Sequence, residues 1–397
     1  MTQKEQRTAT YDLIYLVGCA IAGTKADVKR VLCMNLPRVY YISKFHLLVA
    51  AAYEALPDEV IEAQHSKSVQ KCLEGWREDT AKAQRKNLLL DIERAKLLAF
   101  LDREDIWYMV LKGAVIKDMY PKFGMRQMSD NDILFDENAH AKVRDYFVSQ
   151  RYKIVSYNRS HHDVYDKKPI YSFEMHKAFF NKNGFFLDGG YYDNVKDRLV
   201  KDEGDNCAWH FTDEDFYIFM VVHAYKHFKG AGIGFKAALD MYVYLSHKGD
   251  ALDMEYVKSE CAKIGCDDFE RELRELSLDM FANCGEPELW SMNEAKSEIF
   301  DRIMFAGRYG NVHNTVVNRI NRAERMGDEN ARKKYLFIRL FPPRRYYDLV
   351  YPKTQGNAAL IPFCWFHRLF RALLFKKRFA LEELKMLGKL NREEENK

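Results

Sequence analysis

Two aspartates separated by one residue, Asp130 and Asp132, stand at the start of a short apolar run that ends at Phe135. Because side chains alternate along a strand, these two carboxylates would point to the same side of it. Neighbouring carboxylates repel each other unless a cation lies between them. Their hard oxygen atoms suit Mg²⁺, which binds through one or two carboxylates together with substrate phosphates. The pair therefore predicts a magnesium site on a strand.

The residues just before this pair predict a phosphate site. An apolar run of strand length leads into Lys112-Gly113 and then into a helix-compatible segment. A glycine at a strand-to-helix turn lets a phosphate approach the backbone N–H groups at the helix N-terminus. Lys112 adds a point charge for phosphate, and Arg126 is near enough in sequence to reach the phosphates or an acidic side chain. The stretch 107–135 thus indicates a site for Mg²⁺ and a triphosphate.

The order of these motifs resembles a known family. The resemblance is carried by Leu111-Lys112-Gly113, Tyr120-Pro121, Arg126 and the segment Asp130-x-Asp132-x-Leu134. Together they are similar to the bacterial uncharacterised nucleotidyltransferases, nucleotidyltransferase family 5, which share their fold with DNA polymerase beta. An acidic pair alone is common in loops, but the ordered set is much more specific. The resemblance spans residues from about 90 to 378.

This resemblance implies an Mg²⁺-dependent enzyme that moves a nucleoside monophosphate from an NTP to an acceptor and releases pyrophosphate. Asp130 and Asp132 would hold the metal, and Lys112, Gly113 and Arg126 would hold the triphosphate. The sequence names neither the NTP nor the acceptor, which is a small molecule, a protein or an RNA. Two alternatives stay open: an RNA- or tRNA-modifying enzyme of the toxin type, and a nucleotide-binding protein without catalysis.

The second alternative follows from two departures from the expected pattern. The polymerase-beta pattern has Gly-Ser at the turn, where this chain has Lys112-Gly113 followed by Ala114. The family usually has an apolar residue between the two aspartates, where this chain has Asn131. The asparagine would either loosen the strand packing or supply an additional polar contact.

The family also implies a third carboxylate on a neighbouring strand. Glu174 lies at the matching place in the order, in a segment similar to the family's E-x-H strand, and would be a metal ligand or the base for the acceptor hydroxyl. His176 shares its face and would contact the nucleotide or the acceptor. The alternative acids are Asp163, Asp166 and Asp188.

A pair of histidines, His223 and His227, lies at helical i, i+4 spacing. This is the spacing of a zinc pair, but the glutamate of the His-Glu-x-x-His protease motif is absent. The family has a similar His-x-x-Lys-His segment and a downstream aspartate, here Asp240. The resemblance implies a helical wall that faces the nucleotide, while polar packing between two domains explains the residues equally well.

The predicted fold class is α+β, with a small mixed β-sheet as the nucleotidyltransferase core. Helical spacing of apolar residues predicts an N-terminal helical region, 1–104, and a C-terminal helical region, 206–397, on either side of the core, 105–205. Within the core, strands are predicted over 107–111, 129–135, 152–157 and 169–176, a helix over 139–150, and a turn or hairpin over 184–190.

Composition and charge limit the class of protein. Of the 397 residues, 47% are hydrophobic and 30% charged, as in soluble globular proteins, and no apolar run reaches bilayer length. The eight cysteines lack paired spacing, which favours a reduced, cytoplasmic protein. Residues 332–378 hold twelve Lys or Arg and one Asp, a basic tail that suits an anionic partner. Its aromatic residues, including Phe366 and Phe370, recur at helical core spacing and favour packing instead.

Overall fold

The computed structural model of the chain describes residues 2–180, 190–204, 207–230, 232–306, 331–351, 354 and 357–375. In these residues helices flank a small mixed sheet, so the predicted α+β class is confirmed. Most of the hairpin predicted over 184–190, the alternative acid Asp188 and the basic residues 376–378 lie outside the described residues.

The chain divides into two compact units. One comprises Met1–Lys226 and Gly234–Arg308 and contains the sheet, and the other comprises His227–Ile233 and Tyr309–Lys397. The predicted boundaries at 105 and 206 mark the change from helices to sheet and back to helices, whereas the two units are defined by contacts within the fold. The predicted boundaries therefore stay a prediction.

The main sheet has five strands in the order β1-β2-β5-β4-β3. β2 and β5 are parallel, and the other neighbouring pairs are antiparallel. A separate antiparallel pair consists of β6 and β7. The strands are β1 Tyr108–Val110, β2 Asn131–Phe135, β3 Lys153–Ser156, β4 His162–Lys167, β5 Tyr171–His176, β6 Leu199–Lys201 and β7 Trp209–Phe211.

Sixteen α-helices are seen in the part of the chain that the structure describes. Before β2 these are α1 Gln3–Ile21, α2 Val28–Cys33, α3 Leu36–His46, α4 Val49–Glu54, α5 Asp58–Glu62, α6 Lys67–Arg103 and α7 Gly113–Ile116. After β2 they are α8 His140–Ser149, α9 Asp213–Lys229, α10 Phe235–Lys248, α11 Met254–Ile264, α12 Asp267–Ala282, α13 Glu294–Ala306, α14 Ala331–Leu340, α15 Arg344–Val350 and α16 Ile361–Phe375.

One face of the main sheet is buried against α6 and α8. Leu97 of α6 and Phe147 of α8 belong to the same apolar cluster as Ile133, Tyr165 and Phe173 of the strands. Because neighbouring residues of a strand face opposite sides, the residues between these apolar ones point away from the cluster. The sheet therefore has one apolar face and one face on which polar side chains gather.

Strand β4 has no counterpart among the predicted strands. Its sequence is mostly polar or charged, with Val164 and Tyr165 as its apolar pair, so it lacks the usual strand signal. Backbone hydrogen bonds to β3 on one edge and to β5 on the other stabilise the strand, although its composition does not favour one. The fully buried Asp163 accepts hydrogen bonds from His140 and from the backbone N–H of Asn158, so it is a structural carboxylate.

The helices of the basic tail expose part of their aromatic surface. Trp365 of α16 stacks on Phe341, with 5.5 Å between the ring centroids. Phe366 and Phe370 of the same helix are 67% and 62% exposed. The prediction that these two phenylalanines belong to a helical core is therefore wrong. Within the described ranges, no helix combines the length and the apolar character needed to cross a bilayer.

His46, at the end of α3, makes the stability of the protein sensitive to acid. It is 3% exposed, packs beside Phe45 and Phe235, and has no hydrogen-bond partner among the described residues on either ring nitrogen. Burial lowers the pKa of His46 from 6.5 to about 3. Between these two pH values the unfolded chain binds a proton at His46 and the folded chain does not. The free energy of unfolding is therefore unaffected by His46 above pH 6.5 and decreases as the pH falls from 6.5 toward 3.

We therefore expect His46→Leu to lose less stability in acid than the wild type. The difference should change by about 1.4 kcal/mol for each pH unit below 6.5. Denaturant unfolding of both proteins between neutral and mildly acidic pH measures it. Parallel pH profiles for the two proteins would contradict this assignment.

Candidate active site

The polar face of the main sheet brings together acids and histidines from three strands. In the parallel pair β2–β5, Asp132 lies directly opposite Glu174, and in the antiparallel pair β4–β5, His162 lies opposite His176. Glu174 and His176 are two residues apart on β5, so they share a face. The sheet register therefore places these four side chains side by side.

Three of these side chains form a group with the spacing of a metal site. One ligand atom from each of Asp132, Glu174 and His176 lies within 4.8 Å of the others. His176 Nε2 donates a hydrogen bond to Asp132 Oδ1 at 2.9 Å and lies 3.7 Å from Glu174 Oε2. The donor set is two hard carboxylate oxygens and one imidazole nitrogen, which fits a divalent cation.

The two central carboxylates are in unequal states of protonation. Burial alone would raise the pKa of Asp132, but Lys112 and His176 hold it well below its usual range. Burial, followed by the negative charges of Asp132 and Asp130, raises the pKa of Glu174 to about 7. Near neutral pH Glu174 is therefore partly protonated, because a second ionised carboxylate beside Asp132 is unfavourable in this buried site. A divalent cation would replace that proton.

Asp130 is placed differently from Asp132. It precedes β2, and among the described residues the Asp132, Glu174 and His176 group does not include it. Its charge still reaches the site, since it contributes to the raised pKa of Glu174. Metal binding by Asp130 stays a prediction.

The turn that precedes α7 carries Lys112 in an unusual backbone conformation. Its φ is 44° and its ψ is −110°, a region that glycine tolerates and other residues rarely adopt. The turn directs Lys112 Nζ to within 3.6 Å of Asp132 Oδ1. Strain of this kind costs about 1–3 kcal/mol and persists where the surroundings enforce it.

We expect Lys112→Gly to be at least as stable as the wild type while it loses nucleotide affinity. Glycine relieves the strain, which offsets its greater entropy loss on folding of about 0.5–1 kcal/mol. It also removes the cation beside Asp132. Thermal unfolding and NTP binding measured on Lys112→Gly and Lys112→Ala test this, because Ala lacks the charge and keeps the strain. Equal stability of the two variants would contradict the strain argument.

Arg126 lies beneath this turn and is paired with Asp240 of α10. Its Nε and one terminal nitrogen donate to the two carboxylate oxygens of Asp240 at 2.8 and 2.7 Å, and Tyr120 donates to the same carboxylate. Gly113 makes room for the guanidinium, since a Cβ there would lie 2.3 Å from Arg126 Nη1. The contacts give Arg126 and Asp240 the role of supporting the turn. Their predicted contact with substrate stays a prediction.

Helix α6 fixes the chain as it enters β2. Asn87 donates to the carbonyl of Arg126 and accepts from the N–H of Met128. Asn131 is fully buried, donates to the carbonyl of Leu90 at 3.0 Å and accepts from Arg94 at 3.0 Å. The asparagine that departs from the family pattern thus ties the strand to α6 through additional polar contacts.

Helix α9 contributes a lysine that the sequence analysis did not single out. Burial, and then the charge of Lys112, lower the pKa of Lys226 to about 8, while Glu174 and Asp132 oppose the shift. Its ammonium lies 5.2 Å from the centroid of the Phe180 ring. Only its position between His223 and His227 in the sequence could have signalled it. Those two histidines lie on the same helix, the first half-buried and the second exposed, and their predicted roles stay predictions.

Comparison with known proteins identifies the family. The family model of the uncharacterised nucleotidyltransferases matches residues 33–282. The chain belongs to this family. The predicted family is thereby confirmed, and the matched region contains the whole main sheet, the Lys112 turn and helices α9 and α10. The match begins before the predicted span of about 90–378 and ends at 282, so the resemblance beyond residue 282 stays a prediction.

The curated proteins contain no significant match to this nucleotidyltransferase-family chain. Among solved structures, it is similar to an antigenic nucleotidyltransferase-like protein from Paracoccidioides brasiliensis, with 14% sequence identity and a TM-score of 0.30. That likeness covers 45% of this chain and 86% of the other.

Proposed function

We propose that the protein is an Mg²⁺-dependent enzyme that transfers a nucleoside monophosphate from an NTP to an acceptor and releases pyrophosphate. The observation that carries this proposal is the register that sets Asp132 opposite Glu174, beside a strand-to-helix turn, in a chain of this family. Family membership supports nucleotidyl transfer and an NTP substrate. The identity of the metal and of the acceptor is our inference.

The metal would be held by Asp132 and Glu174, with Asp130 and His176 close by. Burial, and then the negative charges of Asp132 and Asp130, raise the pKa of Glu174, and a bound cation would offset both effects by favouring the ionised carboxylate. Bound Mg²⁺ would supply charge neutralisation on the triphosphate and on the leaving pyrophosphate. A reducing compartment such as the cytoplasm would suit the eight free cysteines.

Two lysines would bind the phosphates. Lys112 Nζ lies 3.6 Å from Asp132 Oδ1, and Lys226 lies within electrostatic reach of both Lys112 and Glu174. A triphosphate placed among them would gain two cationic partners. The N–H groups of Ala114, Val115 and Ile116 already donate to the carbonyls of Leu111 and Lys112, so the start of α7 adds little. Helix α7 has four residues, so the lysines provide most of the attraction.

Glu174 is the best candidate for the base. Its carboxylate lies opposite Asp132 on the polar face of the sheet, where an acceptor hydroxyl beside the triphosphate would come within its reach. In the proposed reaction the acceptor oxygen forms a bond to the α-phosphorus while its proton passes to Glu174. The bond between the α-phosphorus and the bridging oxygen breaks, and pyrophosphate leaves with those electrons.

An RNA acceptor has one observation in its favour. Phe366 and Phe370 are exposed on α16, and exposed aromatic rings are what proteins use to stack single-stranded bases. Arg368 of the same helix donates to the carbonyls of Arg339 and Leu340, so the rings carry this observation. RNA binding of this kind must weaken steeply as salt is added. Salt-independent or absent RNA binding would leave a small-molecule or protein acceptor.

The position of the radiolabel tests the reaction type. The full-length protein is incubated with host-cell extract, Mg²⁺ and each NTP labelled at the α- or the γ-phosphorus. Transfer of the α-label to an acceptor, with the γ-label recovered in pyrophosphate, is the expected result. Transfer of the γ-label would identify a kinase instead, and Mg²⁺-dependent NTP binding without transfer to any acceptor would identify a non-catalytic nucleotide-binding protein.

A further inference from the structure

Three histidines converge at the edge of the carboxylate site. One ring nitrogen from each of His161, His162 and His176 lies within 4.8 Å of the others. His162 Nδ1 is 3.1 Å from His161 Nε2, and the rings of His162 and His176 lie 5.1 Å apart between centroids. The group shares His176 with the carboxylate site, but it offers only nitrogen ligands.

The backbone holds these histidines in place. His162 pairs with His176 across the β4–β5 ladder. The carbonyl of His161 accepts hydrogen bonds from the N–H groups of Lys177 and Ala178, at 2.8 and 3.3 Å. Residues of a strand ladder are more rigid than residues of a loop. The ladder therefore fixes His162 and His176, and the backbone hydrogen bonds to its carbonyl hold His161 beside them.

Two of the three rings have an unsatisfied nitrogen. His161 Nδ1 and His176 Nδ1 are buried and have no hydrogen-bond partner among the residues that the structure describes. A buried polar atom without a partner costs about 1–3 kcal/mol, so native proteins seldom retain one without a reason. Each of the two rings contacts a neighbour through Nε2, His161 with His162 and His176 with Asp132, and keeps Nδ1 as a nitrogen that a bound ion could satisfy.

The spacing suits a small ion. Two nitrogens bound to one Zn²⁺ at about 2.0–2.1 Å each, at a tetrahedral angle, lie roughly 3.4 Å apart. The separation between the ring nitrogens of His161 and His162 is 3.1 Å. Glu174 Oε2 lies 3.8 Å from His162 Nε2 and 3.7 Å from His176 Nε2, so this carboxylate adjoins the histidine group on the side of His162 Nε2, the nitrogen that does not face His161.

The charge around the histidines is mixed, so the type of ligand decides which ion the group selects. The carboxylate of Asp132 acts on His162 and His176, and the ammonium groups of Lys112 and Lys226 act on all three histidines. Imidazole ligands favour Zn²⁺, Cu²⁺, Ni²⁺ and Fe²⁺, whereas Mg²⁺ favours oxygen ligands. The two groups of ligands therefore differ in the ion that they select.

We propose that His161, His162 and His176 bind a transition-metal ion beside the carboxylates assigned to Mg²⁺. Because all three ligands are imidazoles, Zn²⁺ is the ion that we assign to them. Glu174 lies between the two ions and is available to both. This inference concerns metal binding and does not depend on the proposed nucleotidyl transfer. The protein would thus be a two-metal protein with one nitrogen-rich and one oxygen-rich site.

The test is metal binding by the full-length protein after treatment with a chelator. Zn²⁺ is titrated by calorimetry in competition with a chelator, and Co²⁺ serves as a coloured substitute. We expect His161→Gln and His162→Gln each to weaken Zn²⁺ binding at least about 100-fold, since loss of a ligand exceeds the 10–100-fold effect of its supporting residues. His247→Gln, an exposed histidine of α10, is the matched control and should bind Zn²⁺ like the wild type.

The wild-type protein alone provides a second readout. Co²⁺ in a four- or five-coordinate site with nitrogen ligands absorbs visible light strongly, and six-coordinate Co²⁺ with oxygen ligands absorbs weakly. Strong absorption that His162→Gln removes would support the proposal. Weak absorption, or equal Zn²⁺ affinity in the wild type, His161→Gln and His162→Gln, would overturn it. Asp132→Asn should retain Zn²⁺ binding, which separates this proposal from the nucleotidyl-transfer proposal.

Discussion

Replacing Asp132 with Asn is expected to reduce nucleotidyl transfer by at least about a thousandfold while the protein remains folded. The change removes one of the two carboxylates that face each other across β2 and β5, and it removes the partner of His176 and Lys112. Charge stabilisation by a metal is worth several kcal/mol, and each 1.4 kcal/mol is about a factor of ten in rate. Transfer of α-labelled nucleotide by Asp132→Asn and the wild type measures the effect.

Asp166→Asn is the matched control for this experiment. Asp166 lies on β4 on the same face as His162, is exposed, and accepts a hydrogen bond from Ser172. It should retain wild-type activity, because it lies at the other end of the strand from the site. Thermal unfolding of both variants separates loss of chemistry from loss of fold. Activity of Asp132→Asn within tenfold of the wild type would refute the assignment of the site.

Replacing Arg126 with Met is expected to destabilise the protein by about 3–5 kcal/mol. Arg126 is 9% exposed and forms two parallel hydrogen bonds with Asp240, so its removal leaves a buried carboxylate without a countercharge. Burial alone would lower the pKa of Arg126, but the charge of Asp240 more than offsets this, so the pKa is raised overall. The guanidinium and the carboxylate therefore stabilise each other's charge strongly. Denaturant unfolding measures the loss.

The double variant Arg126→Met/Asp240→Leu tests the origin of this effect. Replacing both buried charges with apolar side chains of similar size is often neutral, so the double variant should be more stable than Arg126→Met alone. The NTP affinity of the double variant then tests the prediction that Arg126 binds the triphosphate. Wild-type stability of Arg126→Met together with a large loss of NTP affinity would identify Arg126 as a phosphate ligand rather than a support for the turn.

The elements of the core that the sequence predicts are those with strong local signals. The β1 run, the Lys112-Gly113 turn and the alternation around Asp132 each depend on residues adjacent in the chain, and the structure has a strand, a turn and a strand there. Glu174 was inferred from its order within a family pattern, and the parallel β2–β5 register sets it opposite Asp132.

The contributions missed by sequence reasoning come from residues distant in sequence. His161 and His162 are next to each other in a polar segment without a strand signal, and the pairing of β4 with β5 brings them to His176. Lys226 follows Glu174 by 52 residues and Asp132 by 94, and yet the charges of both acids act on it in the folded chain. Asp240 meets Arg126 in the same way, across helix α10.

The sequence by itself determined the class of fold and the family, and it predicted the central acids, because strand alternation and motif order are properties of neighbouring residues. Only the tertiary structure decided which side chains meet. It paired Arg126 with Asp240 and gathered three histidines beside Glu174. The physical reason is that strand register and helix packing, which arise from contacts between distant segments, fix these distances.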